Sequence, residues 1–230
     1  MTFENIFSPF IYKVNLDDNE FLKRKIVPQI NKKRRKSRSL VPSGWFCDVF
    51  SSYRYTNKNR TVYDGSKYLN GEESKEFYND FDNTCLMRTY INQVSIFLDE
   101  IGLNNNKDIE STCAFNIDMW YNAYKKDQYQ EWHNHSGVTS DFSAIHYLKY
   151  DEDVHSPTIF KNPTSKSQIF SSITNSQKLR GTKNSLYSEV YHPNIREGDL
   201  IIFPSWLEHM CPPNKSNELR IAVAFNIELL

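Results

Sequence analysis

The sequence predicts a mainly β domain in which helices flank a sandwich or barrel of short strands. From residue 113 onward, short alternating or β-branched runs follow one another, with turn residues such as Asp151-Glu152-Asp153 between them. Before that point, one long stretch carries apolar residues at helical spacing. Many short strands after a helical section are typical of a closed or two-sheet β architecture supported by helices.

Length and charge narrow the class of protein. The 230 residues fit one domain better than two. Within a single domain 1–230, we expect residues 1–112 to supply an N-terminal strand, loops and supporting helices, and residues 113–230 to form the β core. The chain has 28 Lys and Arg against 28 Asp and Glu, and no apolar run approaches the length of a membrane span. This balance argues against a dedicated nucleic-acid binder and against a membrane protein.

The N-terminal elements follow in order. Residues 9–16 mix aromatic and β-branched side chains and predict a strand. The next segment predicts a short helix over 18–26, limited by Pro28 because proline lacks an amide N–H donor. The basic run 31–38 is interpreted as a solvated loop, with a nucleic-acid patch as the alternative. Apolar spacing then predicts a helix over 74–101, which Gly102 is placed to end.

Cysteine usage and the first residues predict the compartment. The four cysteines stand at positions 47, 85, 113 and 211, so no C-x-x-C pair exists for zinc or redox chemistry. The N-terminus has no basic stretch followed by an apolar run, as a secretory signal would. We therefore expect reduced thiols and a cytoplasmic location.

Two patterns carry chemistry. His133 and His135 are two apart, so on a strand both imidazoles point to one face and can reach one metal ion. On the last predicted strand, Arg220 shares its face with small alanines, while the opposite face is apolar. Because a buried guanidinium needs an anion, a bound carboxylate or an internal acid must accompany Arg220.

These patterns occur together in a fixed order. The sequence resembles the 2-oxoglutarate- and Fe(II)-dependent oxygenases, in particular an H-x-H subgroup with prolyl-hydroxylase-like features. The matching stretches are Trp120-Tyr121-Asn122, His133-Asn134-His135, 143–148, 198–209, Pro213-Asn214 and Arg220-Ile221. Any one of these stretches is unspecific, but their ordered combination is specific.

The resemblance implies a double-stranded β-helix, the jelly-roll or cupin-like core, with Fe(II), the cosubstrate 2-oxoglutarate and O₂. His133 and His209 match the two metal histidines of the family. Arg220 matches the cation that holds the far carboxylate of 2-oxoglutarate, and Tyr147 matches a tyrosine that bonds the same carboxylate. Tyr124 is a weaker candidate for contact with the cosubstrate.

One position departs from the family pattern. Most of the superfamily has H-x-[DE], which gives two histidines and one carboxylate on the iron. Here the third position is His135, so either His135 completes a three-histidine site or a carboxylate elsewhere does, with Asp141 the nearest candidate. A histidine in place of the carboxylate removes a negative charge from the site. We expect this to affect oxygen activation more than metal binding.

The functional expectation is an oxygenase that releases succinate and CO₂ and hydroxylates a peptide or protein side chain such as proline. The substrate class rests on family analogy alone. Three alternatives stay open: a three-histidine cupin-like dioxygenase without 2-oxoglutarate, a non-catalytic metal-binding jelly-roll, and a nucleic-acid-repair oxygenase. The basic run 32–36 favours the last of these, and the neutral net charge argues against it. We expect the polar segment 162–186 to close over the substrate, and His146, His155 and His192 to be structural or surface residues.

Overall fold

The computed structural model describes residues 9–36, 47–53, 62–64, 84–103, 114–136, 140–163 and 189–230. The helices are α1 (Asn19–Lys36) and α2 (Thr84–Glu100). The strands are β1 (Tyr12–Asn15), β2 (Phe50–Ser51), β3 (Val62–Asp64), β4 (Phe115–Tyr124), β5 (Gln130–His133), β6 (Phe142–Lys149), β7 (Ile159–Lys161), β8 (Val190–Tyr191), β9 (Asp199–Pro204), β10 (His209–Cys211) and β11 (Arg220–Leu229). Neither of these helices combines the length and the apolar character needed to cross a membrane.

The strands form two antiparallel sheets. The larger sheet has the order β1-β9-β6-β11-β4-β2, with β3 also paired to β4, and the smaller has the order β5-β10-β7-β8. From β4 to β11, the chain passes repeatedly between the two sheets, and the strands of each sheet line up beside partners distant in sequence. This alternation is the topology of a jelly roll. The predicted double-stranded β-helix with flanking helices is therefore confirmed.

The main apolar core lies between the larger sheet and the two helices. On β11, Ile221, Val223 and Phe225 are 0–1% exposed and belong to this core. From α2, Tyr90 stacks on Phe225 with 4.6 Å between ring centroids. The apolar face of β11 thus packs against the helices, as its alternation predicts, and the opposite face is left to line the interior of the roll.

The first helix is longer than the sequence predicts. α1 runs through Pro28 to Lys36, so the expected stop near residue 26 is wrong, and residues 31–36 are helical rather than a loop. Leu22, Ile26 and Ile30 are fully buried, whereas Pro28 lies on the exposed side. The carbonyl that Pro28 leaves without an N–H partner therefore faces water, and burial of the apolar stripe outweighs the proline penalty.

The second helix ends as predicted. Gly102 has φ +81°, and Leu103 N–H donates to the Leu98 carbonyl. A left-handed glycine just past the last turn is the common way in which helices end. Of the predicted helix 74–101, residues 74–83 lie outside the described part of the chain.

Candidate active site

Three histidines meet between the two sheets. His133 at the end of β5 stands opposite His209 on β10 in the strand register, and His135 follows β5. Their ligand atoms all lie within 4.8 Å of one another. The centroids of the His133 and His209 rings are 4.3 Å apart, and the His135 ring is 5.2 Å from that of His209. The structure thus brings together the three residues that the sequence selects.

Backbone carbonyls orient two of these rings. His133 Nδ1 lies 2.8 Å from the Glu131 carbonyl oxygen, and His209 Nδ1 lies 2.9 Å from the Leu207 carbonyl oxygen. A carbonyl oxygen only accepts, so each Nδ1 carries the proton and each Nε2 keeps its lone pair. Gln130 Nε2 is 3.3 Å from His133 Nε2, at the long end of a hydrogen bond, and leaves this lone pair weakly engaged.

The third ring is oriented by side chains. His135 Nδ1 donates to Asn226 Oδ1 at 2.5 Å, and Ser143 Oγ lies 2.9 Å from the same nitrogen. The amide oxygen of Asn226 is an acceptor, so His135 also presents an unprotonated Nε2. All three imidazoles are therefore in the tautomer that a metal ion requires.

Burial keeps the three rings neutral. Desolvation is the main cause that lowers the pKa of His133, of His209 and of His135, the last to about 4. The Nε2 lone pairs of the three neutral rings face a common volume. None of these Nε2 atoms carries a proton that could bond to another. A divalent cation satisfies all three at once, and imidazole nitrogens suit iron. The residues present therefore fit the Fe(II) that the resemblance implies.

Arg220 forms the other end of the same cavity. It is 1% exposed, and its Nη1 donates to the Ser156 carbonyl at 2.8 Å and to Cys211 Sγ at 2.7 Å. In the part of the chain that the structure describes, its Nε has no hydrogen-bond partner, and no Asp or Glu pairs with the guanidinium. The sequence analysis left open an internal Asp or Glu as the partner of Arg220, and the described residues contain no such pair. A buried guanidinium that lacks an anionic partner is suited to bind an anionic ligand.

Two tyrosines flank the guanidinium in different roles. The Arg220 guanidinium carbon lies 5.0 Å from the ring centroid of Tyr124 and 5.7 Å from that of Tyr147. Tyr124 lines the cavity, and its hydroxyl donates to Gln130 Oε1 at 3.1 Å. The Tyr147 hydroxyl accepts from the Thr158 N–H at 3.1 Å. Of the two, Tyr124 is the one that faces the cavity, although sequence reasoning ranked Tyr147 first.

A cavity lies between the histidines and Arg220, and residues of both sheets line it. Small side chains make this space, and they include Ala222 and Ala224 on the inner face of β11. Trp120 stands opposite Ala224 in the register, and its buried indole N–H has no hydrogen-bond partner among the described residues. Arg220 and Trp120, which both line the cavity, thus each have one such N–H.

Other candidates lie elsewhere. The Asp141 carboxylate accepts from the Leu229 N–H at 2.8 Å on the exposed rim of the sheet and is not among the residues that converge with the histidines. His146 faces the helices, as expected from its alternation with Tyr147. His155 Nδ1 accepts from the Asp151 N–H, which makes it structural. Cys113 and nearly all of the segment 162–186 lie outside the described residues.

Sequence reasoning missed three residues of the site. Asn226 and Ser143 bond His135, and Cys211 touches Arg220. A signal for Asn226 and Cys211 exists: each continues the two-residue alternation of an inward strand face, Asn226 after Ala224 and Cys211 after His209. Ser143 lies on β6, and only the pairing of β6 with β11 brings it to Asn226.

Comparison with known proteins agrees with this geometry. Residues 118–226 match the family model described as putative 2OG-Fe(II) oxygenase. These residues are a 2-oxoglutarate/Fe(II)-dependent oxygenase domain. The resemblance in the sequence is thereby confirmed, and with it Fe(II), 2-oxoglutarate and O₂ as the cofactors of this oxygenase. No curated protein sequence matches the chain.

Solved structures share the fold at low sequence identity. A prolyl-4-hydroxylase of Pseudomonas putida has a TM-score of 0.50 at 10% identity and aligns over 95% of this chain and 91% of its own. A Trichoplax adhaerens prolyl hydroxylase, solved with a peptide fragment of the hypoxia inducible factor oxygen degradation domain, has a TM-score of 0.50 at 10% identity over 95% and 83%. The α-ketoglutarate-dependent carbocyclase SnoK from nogalamycin biosynthesis has a TM-score of 0.52 at 10% identity over 94% and 78%.

Proposed function

We propose that this oxygenase hydroxylates a peptide or protein side chain, such as that of proline, and releases succinate and CO₂. One observation carries the proposal. A single buried cavity has three converging imidazole nitrogens at one end and an unpaired guanidinium at the other. A keto diacid that binds a metal through one end and a cation through the other matches both.

In this proposal, His133, His135 and His209 hold the iron. The metal centre, when bound, supplies the oxidation: 2-oxoglutarate loses CO₂ to become succinate, one oxygen atom of O₂ enters the succinate, and the other enters a C–H bond of the substrate. The protein contributes three neutral nitrogen donors of fixed tautomer. Because these ligands carry no charge, the site keeps the full positive charge of the metal, which favours a dianionic cosubstrate.

Arg220 orients the cosubstrate. Its Nη1 and Nη2 atoms donate to Ser156, Cys211 and Thr158. The Nε, which has no partner in the described part of the chain, remains to bond the far carboxylate. The Tyr124 ring packs beside the guanidinium and closes that end of the cavity against water. Tyr147 supports the same wall through Thr158. Low local polarity around this pair strengthens each charge-assisted bond.

The Trp120 indole N–H supports a substrate that presents an oxygen acceptor. On β11, the partners of Tyr124 and Trp120 are Arg220 and Ala224, four residues apart, which is about 13 Å along a strand. A five-carbon diacid held by Arg220 is shorter than this span. The Trp120 donor, whose ring centroid is 5.8 Å from that of His135, is therefore available to the substrate. A peptide carbonyl is such an acceptor, and two of the solved relatives are prolyl hydroxylases.

Anaerobic titration tests the cosubstrate. The ferrous protein is expected to develop a weak visible metal-to-ligand charge-transfer band with 2-oxoglutarate. Arg220→Ala is expected to weaken 2-oxoglutarate binding about 100-fold or more, because it removes a buried charge-assisted contact worth about 3 kcal/mol. Arg196→Ala is the matched control, since that arginine is exposed. Unchanged binding in Arg220→Ala, or oxygen consumption that needs no 2-oxoglutarate, contradicts the proposal.

The substrate class is tested separately. Succinate release is measured with proline-containing peptides and with the same peptides carrying alanine in place of proline. We expect turnover to rise only with the proline peptides and the product to gain one oxygen atom. Turnover that rises with small metabolites and never with peptides overturns the peptide proposal and leaves the oxygenase assignment intact.

A further inference from the structure

We infer that Asn226 is the positioning residue that makes His135 a metal ligand. The inference rests on the proposed three-histidine site and names the residue on which its unusual third member depends. Asn226 lies on the inner face of β11, two positions beyond Ala224, and is 4% exposed. Its amide oxygen is 2.5 Å from His135 Nδ1.

The three imidazoles differ in what holds them. His133 and His209 each bond the backbone carbonyl two residues earlier in their own segment, so any sequence that forms β5 and β10 orients those two rings. Within the described residues, His135 Nδ1 contacts no backbone carbonyl, and its partners are the side chains of Asn226 and Ser143. Side chains therefore determine the orientation of His135, whereas backbone carbonyls determine that of the other two rings.

A buried set of hydroxyls fixes Asn226 in turn. Ser143 Oγ donates to Asn226 Oδ1 at 3.2 Å and lies 2.9 Å from Ser205 Oγ, which lies 2.6 Å from Ser140 Oγ. Ser143 and Ser205 are 1–2% exposed, so water does not compete for these bonds. The Ser205 carbonyl also accepts from the His135 backbone N–H at 2.8 Å. The network therefore holds both the backbone and the ring of His135.

The acceptor character of Asn226 has a definite consequence. With an oxygen at 2.5 Å, the His135 proton stays on Nδ1 and the Nε2 lone pair stays toward His133 and His209. An apolar residue at 226 removes this preference, so the ring rotates or exchanges its proton, and the site keeps two fixed ligands. Outer partners of this kind typically change metal affinity by about 10–100-fold.

The test uses Co(II) as a probe metal, without cosubstrate, in the full chain. Asn226→Leu is expected to weaken Co(II) binding by about 10–100-fold and to give a ligand-field spectrum like that of His135→Ala. Asn226→Asp keeps an oxygen acceptor of the same shape, so it is expected to retain the wild-type spectrum and affinity. Asn19→Leu is the matched control and should bind Co(II) like the wild type, because Asn19 is a buried asparagine that contacts another histidine ring, that of His146, on the outer face of the larger sheet.

Each outcome has one meaning. Wild-type Co(II) binding in Asn226→Leu overturns the inference, and so does an Asn226→Asp protein that fails as badly as the leucine variant, since the role is then one of packing. If Asn226→Leu does not fold, Asn226→Ala takes its place. Loss of binding in His135→Ala with none in the Asn226 variants overturns the inference and leaves the three-histidine site standing. Full binding in His135→Ala overturns the site itself.

Discussion

Both faces of the larger sheet are buried, and a histidine lies against each, His146 from β6 on the outer face and His135 from the segment after β5 on the inner face. The nitrogens of the two rings have different partners. On the outer face, His146 Nδ1 lies 2.7 Å from the Tyr90 hydroxyl, and its Nε2 lies 2.9 Å from Asn19 Oδ1. On the inner side, His135 has only Nδ1 engaged by strong acceptors. Burial lowers the pKa of His146 to about 3 and that of His135 to about 4. A low pKa therefore does not identify a ligand, whereas an unprotonated Nε2 that converges with two other unprotonated Nε2 atoms does.

Side-chain size divides the same two faces. Outward on β11, Val223 and Phe225 fill the space beneath the helices, and inward, Ala222 and Ala224 leave the cavity open. The outer face serves stability because it is packed, and the inner face serves binding because it is not. Changes on the two faces should therefore separate in their effects.

Phe225→Ala is expected to have the largest effect on stability. The ring is fully buried and stacks on Tyr90, so its removal should lower the free energy of unfolding by about 3–5 kcal/mol. Urea denaturation measures this loss. Ala224→Gly, one residue away on the inner face, is the control and should cost far less. Equal losses in the two variants contradict the division between a packed and an open face.

His209→Ala separates binding from stability. Structural metal sites with four ligands have binding free energies of about 10–16 kcal/mol, which is about 3 kcal/mol for each ligand. The loss of one ligand should therefore lower the affinity for Fe(II) about 100-fold or more. The metal-free protein should unfold at the same urea concentration or higher, because a buried polar ring is removed. His146→Ala should do the reverse and lose stability while binding metal normally. Calorimetry and denaturation of both variants check the contrast.

His146 also predicts a smaller, pH-dependent effect. Its pKa is about 3 in the folded protein and about 6.5 in the unfolded chain. Between these values, the unfolded state binds a proton that the folded state does not, so stability falls as pH falls, by about 1.4 kcal/mol per pH unit from this group. His146→Gln, which keeps hydrogen-bonding groups near Tyr90 and Asn19, should lose that slope between about pH 6 and about pH 5. An unchanged slope would show that the His146 proton is not the cause.

The sequence predicts those features of the molecule that depend on the periodic spacing of residues along one strand or helix. The alternation of Arg220, Ala222 and Ala224 on β11 predicted an inner face with a cation, and the spacing of His133 and His135 predicted a shared ligand direction. Contacts between strands that are distant in sequence produce no periodic pattern, so they cannot be predicted in this way. Ser143 reaches Asn226 across 83 positions, and the pairing of β6 with β11 is what joins them. The order of Tyr124 and Tyr147 at Arg220 likewise depends on how far each ring stands from the cavity.

Helix α1 shows the opposite limit. Pro28 is a strong local signal for a helix end, yet Leu22, Ile26 and Ile30 continue the buried stripe past it. Local propensity lost to tertiary packing because the freed carbonyl faces water. A proline on the exposed side of an amphipathic helix is therefore less able to end the helix than a proline on its buried apolar side.

Iron content of two variants tests the central claim most directly. His135→Ala and Asp141→Ala are prepared anaerobically with Fe(II) beside the wild type, and bound iron is counted after gel filtration. If the third ligand is the imidazole at 135, the first variant loses its iron and the second retains it in full. Iron retained by His135→Ala and lost by Asp141→Ala would contradict the three-histidine centre and restore the carboxylate that most of the superfamily uses.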